Sequence, residues 1–330
     1  MTHGRSLLIG SLTALAIVAA VASLLFGPVT LSFERLFAVA AGHGDPIATT
    51  ILIDLRLPRA LLGLAVGAML GIAGAAMQGY LRNPLAEPAV LGTSNAASLG
   101  AVTAIYFGLA ELHPIVLPLL AVSAALLSLV LLFTLAGQSE SPLTLILAGI
   151  AVGTLAIAGI SLALNLSPNP FAAMEIMTWL LGSLDNRSFD HVWIALPCIV
   201  VGVVLLLWDG RALDALTLGE DGARALGVSL SAVRLRLLLG VAIGVGGAVA
   251  VSGAIGFIGL IVPHLIRPLT DRSPSAILLP SAIGGAALLT LSDLAVRLIP
   301  TTNELKLGVV TAFLGVPIFL VHLMRERRLW

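Results

Sequence analysis

The chain has 330 residues, 58% of them hydrophobic and only 10% charged, with a mean hydropathy of +1.09. Seventeen basic residues balance seventeen acidic ones, so charge placement carries more information than charge total, and nothing points to nucleic acid. This composition excludes an ordinary soluble domain and predicts a polytopic, all-α membrane protein built as one transmembrane domain over 1–330.

Ten membrane helices are predicted, over 7–26, 57–80, 89–108, 114–136, 143–165, 191–208, 231–251, 254–268, 276–297 and 307–324. Nine is the alternative count, because the eighth is short and follows the seventh almost directly. In the first helix, Ala20-Val21-Ala22 before Ser23 has the form of a signal-peptidase site. Arg5 gives only a weak basic n-region, which favours a retained anchor, and removal would leave the remaining topology unchanged.

The stretch Arg56–Gly92 is the most informative. It opens with Arg56 and Arg59, runs through apolar and small residues, and ends in the polar knot Arg82-Asn83-Pro84-Leu85-Ala86-Glu87-Pro88 before apolar sequence resumes. A polar turn between two lipid-length segments must face water, headgroups or a protein-lined path, which makes it a candidate part of a conduit. Before the fifth helix stands Ser141-Pro142-Leu143-Thr144. The segment 170–184 predicts a short helix at an outer mouth, with Glu175 near cargo or at the interface, and Trp179 and Trp193 fit an aromatic belt. His43, His113 and His191 read as solvated histidines and His264 as structural. The lone Cys198 rules out a disulfide framework.

The loop 209–230 is too polar to span and too patterned to be a plain linker. Leu213, Leu216, Ala223 and Leu226 predict two short amphipathic turns, broken at Gly219 and closed at Gly227, with Glu220 and Asp221 near the start of the second. Such an elbow suits a partner's groove. In the seventh helix, Leu238-Leu239-Gly240-Val241-Ala242-Ile243-Gly244 echoes Leu61-Leu62-Gly63-Leu64-Ala65-Val66-Gly67 at an offset of 177. An odd number of spans separates the two, so they run in opposite directions. This predicts an inverted repeat of helices 2–5 and 7–10, unless two Gly/Ala-rich packing helices simply look alike.

With the N-terminus inside, eleven basic residues are cytoplasmic: Arg5, Arg82, Arg211, Arg224, Arg234, Arg236, Arg267, Arg272, Arg325, Arg327 and Arg328. Six lie opposite: Arg35, Arg56, Arg59, Arg187, Arg297 and Lys306. The bias puts both termini in the cytoplasm. Zinc-protease, serine-hydrolase and paired-aspartate motifs are missing, and the only lysine, Lys306, precedes Leu307, so no phosphate-binding loop exists. The chain is therefore expected to be no enzyme, to bind no metal or other cofactor, and to leave any ATP and Mg²⁺ to another subunit. Mid-helix ionisable residues are scarce; Asp293, one turn from Arg297, reads as a local ion pair rather than a proton relay.

Taken together, the RLPR…GxxxQxxxRNPLAxPxxLG pattern, the LGEDGARALGV loop at 218–228 and Gly256–Arg267 (GFIGLIVPHLIR) resemble the FecCD-type permeases. Leu147-Ala148-Gly149, Trp179-Leu180-Leu181-Gly182-Ser183 and the closing Glu304…Gly308-Val309-Val310-Thr311-Ala312…Gly315-Val316-Pro317-Ile318-Phe319 extend the likeness over nearly the whole chain. The resemblance implies a membrane subunit of a type II ATP-binding-cassette importer in a prokaryotic plasma membrane. Such a subunit works as a homodimer in lipid, with two cassette ATPases and an extracytoplasmic binding protein. The implied cargo is a ferric siderophore first, haem or cobalamin next. By the same resemblance, Gly219, Glu220, Ala223, Leu226 and Gly227 couple to the ATPase, and Asn83, Leu85 and Thr144 form a cytoplasmic gate. Arg56, Arg59 and Arg297 would present guanidinium groups to acidic residues of the binding protein, or else pair within the chain. A stand-alone secondary transporter or channel is the alternative function.

Overall fold

The computed structural model describes residues 2–137, 141–301 and 304–326. These residues form fifteen α-helices and, among the described residues, no strand. The first part of the chain gives α1 (Thr2–Leu25), α2 (Phe33–Ala40), α3 (Pro46–Thr49), α4 (Leu57–Tyr80), α5 (Thr93–Tyr106), α6 (Val116–Ala136) and α7 (Pro142–Asn165). The second gives α8 (Pro170–Leu180), α9 (Phe189–Trp208), α10 (Gly210–Leu216), α11 (Glu220–Ala225), α12 (Leu230–Ser252), α13 (Ile258–Ile266), α14 (Pro274–Leu298) and α15 (Leu307–Glu326).

Each predicted span has a helix. Seven helical segments are long and apolar enough to cross a bilayer: α1, the continuous stretch Pro46–Tyr80 that ends in α4, and α6, α7, α9, α12 and α14. The other three are shorter. α5 has 14 residues and α13 has 9, while the apolar described part of α15 is Leu307–Ile318. At about 1.5 Å per residue, α13 covers less than half of a ~30 Å hydrocarbon core. Ten full crossings therefore do not follow from the helices themselves. The shortening has a local cause: the chain leaves α12 at Gly253 (φ +68) and re-enters a helix only after Phe257, itself at φ +69.

Some segments that the sequence reading passed over are also helical. Ser32 and Asp45 cap α2 and α3, where Asp45 Oδ1 accepts from Ala48 N at 2.8 Å. A π-helical stretch, Thr50–Arg56, joins α3 to α4 without a break.

Small residues set how closely the central helices pack. A methyl group added at Gly67 would lie 2.3 Å from the Gly285 carbonyl oxygen, and one at Gly71 2.1 Å from that of Ser281. α4 and α14 therefore touch backbone to backbone, as expected where dispersion and packing replace a hydrophobic drive in lipid. Gly74 brings α4 equally close to Gly259 of α13.

The partners of α4 and α12 form a pattern. α4 packs on α13 and α14, whereas α12 packs on α5 and α6. The 177-residue offset lays α4 on α12, and taken in chain order from there α5 and α6 correspond to α13 and α14. Each lead helix thus packs on the second and third helices of the opposite half. Exchange of equivalent partners is the arrangement an internal repeat produces, and it rests on tertiary contacts rather than on shared glycines.

Candidate functional site

The bundle has two chemically distinct ends. One gathers the exit of α1, the start of α4, the segment 183–188 and the exit of α14. Here Arg56, Arg59, Arg187 and Arg297 line one cleft of about 210 Å³ with Asp185 and Glu304. The sequence reading had Arg56, Arg59 and Arg297 as exposed guanidinium groups at helix ends. They are instead 5%, 8% and 7% exposed.

Each is consumed by partners within the chain, most of them distant in sequence. Arg56 Nη1 donates to the carbonyls of Leu24 and Leu25 at 2.7 and 2.9 Å, and Arg56 Nη2 donates to that of Val29. This clamps the chain just beyond α1. Arg59 grips Asp293 through Nε, at 3.0 Å to both carboxylate oxygens, and through Nη2 at 2.8 Å. It also pairs with Glu304, and its Nη1 lies 3.5 Å from Asp185. Arg297 lies 3.2 Å from Asp293 and donates to Ser23 Oγ at 2.5 Å. The alternative, internal pairing, is what this structure contains. Asp293 sits at the centre of the cluster as a shared counter-ion in the last turns of α14, not as a mid-membrane carrier site.

Arg187 escaped the sequence reading of this site. It lines the same cleft, is pulled below its ordinary pKa by burial, and its Nε has no hydrogen-bond partner among the described residues. No local pattern distinguishes it; only the packing of 183–188 beside α4 brings it to the cluster.

The opposite end holds the exit of α4, α10 and α11, and the turn between α13 and α14. The polar knot folds tightly here. Asn83 Oδ1 accepts from Leu85 N at 2.9 Å and Asn83 O from Ala86 N at 3.1 Å, a side-chain-supported turn that exposes Leu85. Gly92, at φ +74, then lies against Gly149 and Gly153 of α7, so the segment after the knot returns into the bundle. Between these points Glu87 reaches across to α13, where its Oε1 accepts from Phe257 N at 2.9 Å. The amide of the residue that caps α13, a helix that starts inside the protein, is thereby satisfied by a carboxylate from the knot. Thr144 is half-buried in the first turn of α7. Its neighbour Pro142 shares a small cleft with Arg82 and Glu220, which brings the turn before α7 to the same end as the knot.

Over 209–230 the two predicted turns are α10 and α11, and Gly219 and Gly227 sit at φ +91 and +83. Leu213, Leu216 and Ala223 are buried and fasten the elbow to the bundle. Ala223 is thus a packing residue whose side chain offers a partner nothing. Leu226, which the resemblance places among the coupling residues, is 64% exposed, and Leu218 is 69% exposed. Glu220 is half-buried at the start of α11 and Asp221 is exposed. The entry to α12 is fixed by Arg236, whose Nη2 donates to Asp209 at 2.6 Å. The two sets of basic residues counted from the sequence fall at opposite ends, apart from the Arg325 side chain and Arg327 and Arg328, which lie outside the described residues.

Comparison with known proteins agrees with this geometry. The FecCD transport family matches residues 15–325. An uncharacterized ABC transporter permease protein of Bacillus subtilis, YvrB, is 42% identical over 297 residues, covering 88% of this chain and 84% of the relative. The vitamin B12 import system permease protein BtuC of Vibrio cholerae is 42% identical over 275 residues, covering 83% and 82%. A solved structure described as an inward-facing metal-chelate type ABC transporter aligns with a TM-score of 0.87 at 30% identity, over 96% of this chain and 98% of that one. PsaBC from Streptococcus pneumoniae, at 15% identity and a TM-score of 0.53, shares the fold alone. The bundle, the polar knot and the elbow are therefore those of an importer permease, and the chain belongs to the FecCD transport family.

Proposed function

We propose that the chain is the membrane subunit of an importer that moves a metal chelate into the cytoplasm, driven by ATP hydrolysed on partner subunits. The observation that carries this is the elbow of α10 and α11. It holds Leu218 and Leu226 outward, on a short polar segment outside the spans, while Leu213, Leu216 and Ala223 anchor it. An apolar pair on a rigidly held helical turn is the form of an anchor for a partner's groove. Two cassette ATPases would dock there, with Glu220 and the Gly219 and Gly227 turns shaping the contact, and their motion would reach the knot through α10 and α4. ATP and Mg²⁺ belong to those subunits, and a second copy of the chain would complete the translocation path.

In this reading the elbow end faces the cytoplasm, in keeping with its larger share of basic residues. Asn83 and Leu85, with Thr144 on α7, form the inner gate. The arginine end receives an extracytoplasmic binding protein. Arg56, Arg59 and Arg297 hold that surface together and lend it positive potential; direct pairing with a partner's carboxylates would require them to release Asp293, Glu304 or the carbonyls after α1. Cobalamin is the first candidate cargo, supported by the likeness to BtuC, and ferric siderophores are the second.

Co-purification tests the assignment. The wild-type chain should retain a cassette ATPase, and Leu226→Asp should release it without loss of folded permease. Cargo uptake by the isolated permease in proteoliposomes, without ATPase or ATP, would instead establish the secondary-transporter alternative. Uptake of labelled cobalamin and labelled ferric siderophore in cells lacking this chain would decide between the two cargoes.

A further inference from the structure

At the elbow end, a cleft of about 290 Å³ opens between the exit of α4, the end of α10 and the turn leading into α14. Three arginines line it, and they arrive from three separate segments: Arg82 after α4, Arg267 after α13 and Arg272 before α14. No carboxylate is among the lining residues. Arg267 is aimed by a built support: its Nη2 donates to Gln78 Oε1 at 2.7 Å, and Gln78 is 3% exposed, with its Nε2 3.4 Å from the carbonyls of Gly259 and Leu260. Asn83 spends its side-chain oxygen on Leu85 N, which leaves its amide NH₂ as a further donor in the lining.

Two nearby acids accept hydrogen bonds elsewhere. Asp271 accepts from Ser273 Oγ at 2.8 Å and from Ser273 N at 3.1 Å, which holds its carboxyl below the usual carboxylate range. Asp214 accepts from Ser275 N at 2.8 Å. Glu220 shares a smaller adjoining cleft with Arg82. Arg82 and Arg272 form no ion pair among the described residues.

We propose that this cleft is a binding site for a phosphate group, supplied either by inorganic phosphate or by the headgroup of an anionic phospholipid. Three guanidinium groups around one recess repel each other, and an oxyanion among them relieves that repulsion while taking forked, charge-assisted hydrogen bonds. Phosphate is favoured over a carboxylate by number: its oxygens can serve three guanidinium groups and an amide at once, whereas a carboxylate offers two. The volume is nearly ten times the ~30 Å³ share of a water molecule, enough for a phosphate and part of a headgroup.

The test uses the full-length chain in nanodiscs of phosphatidylcholine, with or without phosphatidylglycerol. Inorganic phosphate is titrated against chloride at matched ionic strength, and bound lipid is counted by native mass spectrometry. Arg267→Gln and Arg272→Gln should each weaken phosphate-dependent thermal stabilisation or phosphatidylglycerol retention by about tenfold, the scale of one charged hydrogen bond, while the exposed Arg211→Gln should change neither. Saturable stabilisation by phosphate in pure phosphatidylcholine identifies the free anion as the source, and retained phosphatidylglycerol without a phosphate response identifies the lipid. Equal binding by wild type and both variants, or binding of neither probe to wild type, overturns the proposal. Loss of ATPase co-purification in the variants, with neither probe bound by wild type, would assign the arginines to a protein carboxylate and also overturn it. Because Arg272 lies on an exposed turn, Arg272→Gln keeps the test informative should Arg267→Gln fail to fold.

Discussion

Replacing Asp293 with Asn asks what the arginine end is for. Asp293 is 2% exposed, receives Arg59 at 2.8 to 3.0 Å and lies 3.2 Å from Arg297. Asparagine keeps the shape and one acceptor oxygen but removes the charge that two buried guanidinium groups share. Breaking a buried ion pair by removing one partner costs about 3–5 kcal/mol. Two contacts soften the loss here, because Glu304 still pairs with Arg59 and Ser23 still accepts from Arg297. The expected destabilisation is about 2–3 kcal/mol. Equilibrium unfolding in detergent, followed by tryptophan fluorescence, measures it. Arg187→Gln, in the same cleft but without an ion pair, should cost less than about 1 kcal/mol. If Asp293→Asn unfolds like wild type yet captures the binding protein poorly, the cluster is a docking device and does not hold the helix ends together.

Other expectations follow from close contacts and caps. Gly74→Ala would put a methyl carbon 1.8 Å from the Gly259 carbonyl oxygen, so α4 and α13 must separate. The overpacking loss of about 1–3 kcal/mol should exceed the helix-propensity gain of about 1 kcal/mol. Gly10→Ala on α1, with open space around it, should be neutral or slightly stabilising in the same unfolding assay. Glu87→Ala leaves Phe257 N without its acceptor and should lower stability by about 1.5–3 kcal/mol, with Glu87→Gln intermediate; equal stability of all three chains would show that the cap contributes nothing. Gly219→Ala forces a side chain into φ +91, and a loss of about 1–2 kcal/mol with weaker ATPase retention is expected. Unaltered retention would remove Gly219 from the coupling surface.

The sequence by itself determined the class, the positions of ten helical segments, the two turns of the elbow and the two sets of basic residues at opposite ends. These rest on local physics: apolar length, helix-breaking glycines and charge bias act over a few residues and leave a readable pattern. The knot at 82–88 and the span resuming at 89 were legible as a polar turn in an apolar setting, but the seat of Gly92 against Gly149 and Gly153 of α7 was not, since that is a contact between distant segments. Only the tertiary structure decided which side chains face a partner. The resemblance puts Ala223 and Leu226 alike at the ATPase contact, yet Leu226 is exposed and Ala223 is buried. Arg56, Arg59 and Arg297 read as helix-end charges either offered to a binding protein or paired within the chain. Apart from Asp293, one turn from Arg297 and legible as its ion-pair partner, their partners lie far away in sequence, and only folding brings a carboxylate 234 residues distant onto Arg59. Charge type is written in the chain; whether a charge is spent inside the protein or offered outside depends on long-range packing.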